Sequence, residues 1–300
     1  MIFIAYHPCY ELDLPKGHRF PMMKYPMIKE QLIYEGTFSH ENFFKPKKLD
    51  FKIIEKVHDN NYIQKLLKLS LNKGEVRKIG FPLNKELIDR EITIVGGTVE
   101  CCLKAIENKI SLNIAGGTHH AFRDRGEAFC LLNDQAIAAQ HLLNRFNIKK
   151  ILIIDLDVHQ GNGTAEIFRY NKNVFTFSMH GKKNYPFQKT KSDLDVELLD
   201  GTEDQQYLDI LQEKLNLIFD RIKPEFVFYL CGVDVLKTDR LGRLSMTIAG
   251  CKKRDEIVLS FCRENNIPVQ CSMGGGYSSE IKTIIEAHAN TFRVAKEIFT

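Results

Sequence analysis

The chain has 300 residues, of which 44% are hydrophobic and 27% charged, a composition typical of soluble globular enzymes. The formal net charge is +4, and basic and acidic residues are interspersed, so no nucleic-acid partner is indicated. No apolar run approaches the ~20 residues that a membrane helix needs. The eight cysteines form no C-x-x-C pair. This pattern favours free thiols in a reducing compartment, and we expect a cytoplasmic protein.

The predicted elements begin with a short strand at 2–6, followed by an irregular N-terminal third that prolines interrupt. Helices are predicted over 91–108, 133–146, 205–222, 252–264 and 280–297, and strands over 111–115, 151–156, 174–178, 226–230 and 268–273. The strands alternate with the helices and are apolar on both faces. The pattern predicts one α/β domain over 1–300, with a mainly parallel β-sheet flanked by helices on both faces.

Gly and polar residues follow five of these strands directly. The clusters are Gly116–His120, Asp155–Gly163, Ser178–His180, Cys231–Asp234 and Gly274–Tyr277. The carboxyl ends of parallel strands lie at one edge of a sheet, where ligands bind. We therefore expect the clusters to meet there and to form the active site.

Two of the clusters carry residues suited to metal binding. Asp157 and His159 are two residues apart, so in extended backbone their side chains point the same way, and Asp234 follows another strand. Two carboxylates and one imidazole form a three-ligand set with an open position. That arrangement is typical of a catalytic zinc that keeps a bound water.

The remaining clusters offer groups for proton transfer and oxyanion binding. His119 and His120 are suited to general acid–base work near neutral pH. Tyr277 follows three glycines and could donate its O–H to a developing oxyanion. Asp155, at the end of the same strand, is a candidate acceptor for a histidine N–H.

These residues lie in strings by which the chain resembles the histone deacetylase family. The strings are GGTHHAFRDRGEAFCLLND (116–134), DLDVHQGNGT (155–164), CGVDVLKTDRLGRLSMT (231–247) and GGGY (274–277). The resemblance implies Asp157, His159 and Asp234 as zinc ligands. It further implies His120 as general base and then acid, His119 as its electrostatic partner bonded to Asp155, and Tyr277 as oxyanion donor.

The resemblance also implies how substrate and further ions are bound. Phe129 and Cys130 are expected to line the acyl-lysine tunnel with the backbone of Gly275 and Gly276, and Tyr185 or Phe187 to form the facing wall. A potassium ion is implied near Asp155, Asp157, His159, Ser178 and Met179. Arg19 is expected near an internal exit channel.

Within the family, the strings HQGNG (159–163), GTEDQQYL (201–208) and DRLGRLS (239–245) look most like the class IV branch. Three departures from the family pattern stand out. Asn162 replaces the Asp of most other branches, and Ala128 replaces a Gly. In addition, no residue of 74–89 matches the acidic loop residue that grips the substrate backbone in other branches.

The implied function is zinc-dependent removal of acetyl or longer fatty acyl groups from lysine side chains. Three alternatives stay open: a small-molecule amidohydrolase acting on acylated polyamines, an arginase-like binuclear manganese enzyme, and a non-catalytic acyl-lysine binding protein. The sequence leaves the physiological substrate and the oligomeric state open.

Overall fold

A computed structural model describes residues 1–300 and places eight parallel strands in one sheet. The strands are β1 (Phe3–Ala5), β2 (Phe43–Phe44), β3 (Ile110–Asn113), β4 (Ile151–Asp155), β5 (Val174–Gly181), β6 (Leu194–Leu198), β7 (Phe226–Leu230) and β8 (Val269–Ser272). They lie side by side in the order β2-β1-β3-β8-β7-β4-β5-β6. The helices are α1 (Lys24–Tyr34), α2 (Phe51–Ile54), α3 (Asn60–Leu67), α4 (Lys73–Ile79), α5 (Lys85–Asn108), α6 (Asp134–Arg145), α7 (Asn162–Phe168), α8 (Asp204–Ile222), α9 (Ile248–Glu264) and α10 (Ile281–Phe299). None of the helices combines the length and apolarity needed to cross a membrane.

The central strands β3, β4, β7 and β8 are buried at every residue, as expected for parallel strands covered on both faces. Helices α1, α10, α9 and α8 pack against one another in that order, and α5 packs against α6. The apolar faces of strands and helices share one core of 79 buried residues. The predicted fold class is confirmed.

Helix starts follow local capping chemistry. The Asn84 side chain accepts from the Leu87 amide, and Asn133 accepts from the Ala136 amide, at the first turns of α5 and α6. Thr247 caps α9 in the same way. Each cap satisfies an amide that has no partner inside the helix, which fixes where that helix begins.

The prediction of an irregular N-terminal third is wrong, because this region carries two strands and the helices α1 to α4. Pro26 is the third residue of α1, where its missing N–H costs no helical hydrogen bond. A proline in the first turn therefore does not interrupt a helix. The polar edge strand β6 and the short helix α7 were also not predicted.

Candidate active site

The polar clusters meet because their strands are neighbours. Strands β3, β8, β7, β4 and β5 are consecutive in the sheet, although they are far apart in sequence. Asp155, the last residue of β4, lies beside Ser178 of β5 and Leu230 of β7. The strand order therefore places the five clusters along one edge of the sheet.

Asp157, His159 and Asp234 come together at this edge. One ligand atom from each lies within 4.8 Å of the others. Nδ1 of His159 lies 3.0 Å from Oδ1 of Asp157 and 3.1 Å from Oδ2 of Asp234. Both carboxylates are fully buried, and His159 is nearly so.

Backbone amides orient the two carboxylates. The Gly275 amide donates to Oδ2 of Asp157 at 2.7 Å, and the Val158 amide donates to Oδ1 of Asp234 at 2.9 Å. A Cβ atom at Gly275 would collide with the Asp234 carboxylate. Only glycine lets the backbone approach this closely, so Gly275 positions the carboxylates.

The electrostatics of this triad favour a bound cation. Burial and the neighbouring Asp157 carboxylate raise the pKa of Asp234 to about 7. Two buried carboxylates at this separation repel each other unless positive charge lies between them. Two carboxylate oxygens and one imidazole nitrogen are suitable ligands for zinc, and the residues present therefore fit such an ion.

His119 and His120 lie beside the triad, with ring centroids 4.1 Å apart. Nδ1 of His119 lies 2.7 Å from Oδ2 of Asp155, and Nδ1 of His120 lies 2.7 Å from Oδ1 of Asn162. The two histidines thus have different partners, one an acid and the other a neutral amide.

These partners give the two imidazoles different proton affinities. Burial lowers the pKa of His119, but the Asp155 and Asp157 carboxylates outweigh it and raise the pKa to about 8. Burial and the neighbouring histidines 119 and 159 lower the pKa of His120 well below its ordinary value. Oδ1 of Asn162 also accepts from the Gly163 amide, so Nδ1 of His120 donates to it and Nε2 is the basic nitrogen.

We expect the Asn162→Asp variant to shift the pH dependence of catalysis. A carboxylate at this position would stabilise the protonated imidazole and raise the pKa of His120. The acidic limb of the kcat/KM profile reports this base and should move to higher pH. An Asn162→Ser variant, which adds no charge, is the control. An acidic limb that stays in place in the Asp variant would contradict the assignment of His120 as the base.

Tyr277 lines the cavity in front of the triad. Its amide donates to Oδ2 of Asp239 at 2.6 Å, and its ring lies 6.0 Å from Phe20 and 6.1 Å from Phe129 between centroids. Burial and the carboxylates of the triad raise the pKa of Tyr277 well above its ordinary value. The phenol therefore keeps its proton and remains a hydrogen-bond donor.

The cavity of about 790 Å³ is walled by aromatic side chains. Phe129 lines one side, with the buried Cys130 behind it. The Tyr185 ring packs edge-on against His120 at 4.9 Å, and its hydroxyl donates to Glu127. Phe187 also lines the cavity, but 88% of its surface is exposed. Tyr185 is thus the wall residue closer to the histidines.

The expectation that Arg19 lies near an internal channel is wrong. Arg19 is exposed at the cavity mouth, and its guanidinium carbon lies 5.1 Å from the centre of the Phe129 ring. The buried arginine in the cavity wall is Arg90 of α5. Its Nε donates to the Tyr10 carbonyl, and its guanidinium pairs with Glu91. The motif resemblance missed Arg90 because this position lies before the matching strings.

A tight turn presents Phe129 to the cavity. Glu127 and Cys130 exchange backbone hydrogen bonds at 3.0 and 2.9 Å, and between them Ala128 and Phe129 have φ of +44° and +68°. Two positive φ values are the mark of a type I′ hairpin turn, which favours glycine. The backbone therefore explains why a Gly at position 128 is the usual residue in the family pattern.

We expect Ala128→Gly to stabilise the protein, since a left-handed backbone costs an L-residue with a Cβ about 1 kcal/mol. The midpoint of urea unfolding should rise with an unchanged slope. Gly80→Ala is the reciprocal test, because Gly80 has φ of +83° and its Cβ would press on the Phe129 ring. Equal stability of Ala128→Gly and wild type would mean that the turn is not strained.

Three supporting residues were missed by sequence reasoning. Asp134 accepts from the amides of Gly117 and Thr118 at 3.0 and 2.9 Å and thereby holds the loop before the histidines. Asp239 holds Tyr277 in the same way. Lys24 is fully buried and donates to the Gly274 carbonyl at 3.0 Å. Asp134 and Asp239 lie inside the matching strings, whereas nothing in the sequence distinguishes Lys24.

Comparison with known proteins places this site in a family. A model of the histone deacetylase domain matches residues 18–292. The chain belongs to the histone deacetylase family. An uncharacterized protein of Picosynechococcus sp. is 41% identical over 99% of both chains. Histone deacetylase 2 of Arabidopsis thaliana is 30% identical over 97% of this chain and 79% of its own.

Solved structures show the same fold. The crystal structure of a histone deacetylase homologue complexed with SAHA superposes with a TM-score of 0.83 at 23% identity, covering 98% of this chain and 83% of that chain. Membership of the family identifies this chain as a hydrolase of the deacetylase type.

Proposed function

We propose that this histone deacetylase homologue is a zinc-dependent deacylase that hydrolyses the amide of acylated lysine side chains. The observation that carries the proposal is the convergence of Asp157, His159 and Asp234 within 4.8 Å, beside the two histidines. This set matches the open three-ligand pattern of catalytic zinc sites. Tyr277 also lines the cavity, and its hydroxyl supplies a hydrogen-bond donor for the oxyanion that develops during amide hydrolysis.

Asp157, His159 and Asp234 would hold the zinc ion, which when bound supplies Lewis-acid polarisation of the amide carbonyl and of a water. Nε2 of His120 takes a proton from the attacking water. The Tyr277 hydroxyl donates to the carbonyl oxygen as negative charge develops on it. His120 then returns the proton to the leaving amine. His119, tied to Asp155, adds positive charge beside this reaction.

The depth of the cavity supports acyl groups longer than acetyl. Besides the exposed residues at its mouth, the cavity is lined by Tyr25, Arg90 and Ile94, which are all buried. Each additional buried CH₂ group would contribute about 0.8 kcal/mol to binding. We therefore propose that longer acyl chains enter this inner part of the cavity.

The test of the proposed function is the release of free acid from a panel of substrates, with and without a chelator. The panel holds acetyl-, octanoyl- and myristoyl-lysine peptides of one sequence, together with acetylated polyamines. We expect the peptides to be hydrolysed, the chelator to abolish this hydrolysis and added zinc to restore it. The kcat/KM of the octanoyl-lysine peptide should be no lower than that of the acetyl-lysine peptide. Binding of the peptides without metal-dependent turnover would instead support a non-catalytic acyl-lysine binding protein.

We also propose a potassium ion beside β4 and β5, as the family resemblance implies. The C-terminal residue of β4, Asp155, pairs in register with Ser178 of β5, so backbone carbonyls at this edge are close together. Oxygen atoms of this kind suit a hard monovalent cation. Replacing KCl by choline chloride at constant ionic strength should lower the thermal stability, and equal stability in both salts would argue against the ion.

A further inference from the structure

The mouth of the cavity is surrounded by positive charge. Five exposed cationic side chains line it, and together they form what we call the basic rim: Arg19, Lys78, Lys183, Arg240 and Arg243. They come from the N-terminal loop, the end of α4, the loop after β5 and the loop after β7. Four separate segments therefore deliver like charges to one opening.

Few acidic groups balance the basic rim. Glu127 is the one carboxylate at the cavity mouth, and it already accepts from Nε of Arg125 at 2.8 Å and from the Tyr185 hydroxyl. Asp200, which lies outside the cavity, pairs with both Lys183 and Arg243, and its Oδ2 lies 3.6 and 3.3 Å from their side-chain nitrogens. The other three rim cations have no carboxylate within 4.0 Å.

The concentration of charge is local, since the whole chain has 42 basic and 38 acidic residues. Clustered like charges repel one another and gain nothing for folding, so an unpaired cluster at a cavity mouth indicates a ligand of opposite charge. The acidic side chains of 74–89 do not compensate. Glu75 pairs with Lys65 and Asp89 with Lys48, and neither these two nor Glu86 lines the cavity.

We propose that the acyl amine that this enzyme takes carries negative charge on the part of the substrate that stays at the cavity mouth, outside the buried acyl-amide group. The proposal rests on the proposed deacylase function and narrows its substrate class. An acyl-lysine flanked by aspartate or glutamate would be attracted to the basic rim, and so would a small acyl amine that bears carboxylates. Acylated polyamines, whose free amines are cationic, would be repelled.

The test compares kcat/KM for peptides of equal length that carry one acetyl-lysine flanked by acidic, neutral or basic residues. We expect acidic to exceed neutral and neutral to exceed basic, with about tenfold or more between the extremes at low ionic strength. At fixed KCl, added NaCl should shrink this difference, because salt screens the rim. A further arm compares Nα-succinyl-Nε-acetyl-lysine with its uncharged diamide, which distinguishes a small acid from an acidic peptide segment.

Charge reversal at the basic rim tests the cause. The double variant Lys78→Glu/Arg240→Glu lowers the summed charge of the five rim side chains from +5 to +1 and should remove most of the preference for acidic over basic peptides. The matched control is Lys149→Glu/Lys172→Glu, which makes the same charge change at exposed lysines before β4 and β5, at the opposite edge of the sheet. The control should keep the wild-type order.

The outcomes separate the two proposals. If the neutral peptide is hydrolysed but flanking charge changes kcat/KM by less than twofold, the anionic substrate class is wrong and the deacylase function stands. If the basic peptide is preferred, the substrate class is likewise overturned. If no acyl-lysine substrate is hydrolysed by the zinc-loaded enzyme, the proposed function fails and this inference falls with it.

Discussion

Asp234→Asn should lower deacylation about 10³-fold or more, to the level of chelator-treated wild type. The reason lies in how the two oxygens of Asp234 are used. Oδ1 accepts from the Val158 amide, which an asparagine oxygen can still do, while Oδ2 faces His159 and the proposed ion. The substitution thus removes one metal ligand and leaves the local fold supported. A rate lowered about 10³-fold corresponds to the loss of several kcal/mol of transition-state stabilisation by the metal ion.

The measurement is kcat/KM on an acetyl-lysine peptide at saturating zinc, together with the thermal midpoint of unfolding in the presence of chelator. Asp209→Asn, on the exposed surface of α8, is the control and should match wild type. A fully active Asp234→Asn variant with unchanged zinc affinity would show that this carboxylate is not a ligand.

For Tyr277→Phe we expect a loss of about 10²-fold in kcat with KM nearly unchanged. Phenylalanine keeps the ring that packs near Phe20 and Phe129, and the bond to Asp239 comes from the backbone amide. Only the hydroxyl is lost. Because this O–H is proposed to serve the developing oxyanion rather than the bound substrate, its loss should slow the chemical step and not binding.

The matched control for this variant is Tyr185→Phe. It removes a hydroxyl of the same cavity that is bonded to Glu127 and not proposed to reach the reacting carbonyl. One such hydrogen bond contributes about 1 kcal/mol, so less than a tenfold change is expected. If Tyr277→Phe turned over at the wild-type rate, the oxyanion role of Tyr277 would have to be abandoned.

The sheet and its polar edge could be predicted from the sequence because their signals are strong and local. Strands β4 and β7 are short and mostly apolar, and an acidic residue or a glycine follows each of them within two positions. Since parallel strands share an edge, Asp157 and Asp234 were expected together although 77 positions separate them. The structure shows them with facing oxygens.

Other features depended on tertiary context that no sequence pattern carries. Helix α1 contains Pro26, and only its place in the first turn makes the helix compatible with proline. Lys24 would ordinarily be assigned to the surface, yet it is fully buried, and burial lowers its pKa to about 8. The basic rim is invisible in sequence because its residues come from separate segments and the total charge is nearly balanced.

The most direct test of the zinc-dependent mechanism is the metal stoichiometry of the purified, demetallated protein titrated with zinc. Binding of one zinc ion per chain is predicted for wild type. Variants of Asp157, His159 or Asp234 should each lose tight binding together with hydrolysis of acetyl-lysine. Two manganese ions per chain in the active enzyme, or full activity with no divalent ion bound, would contradict the account.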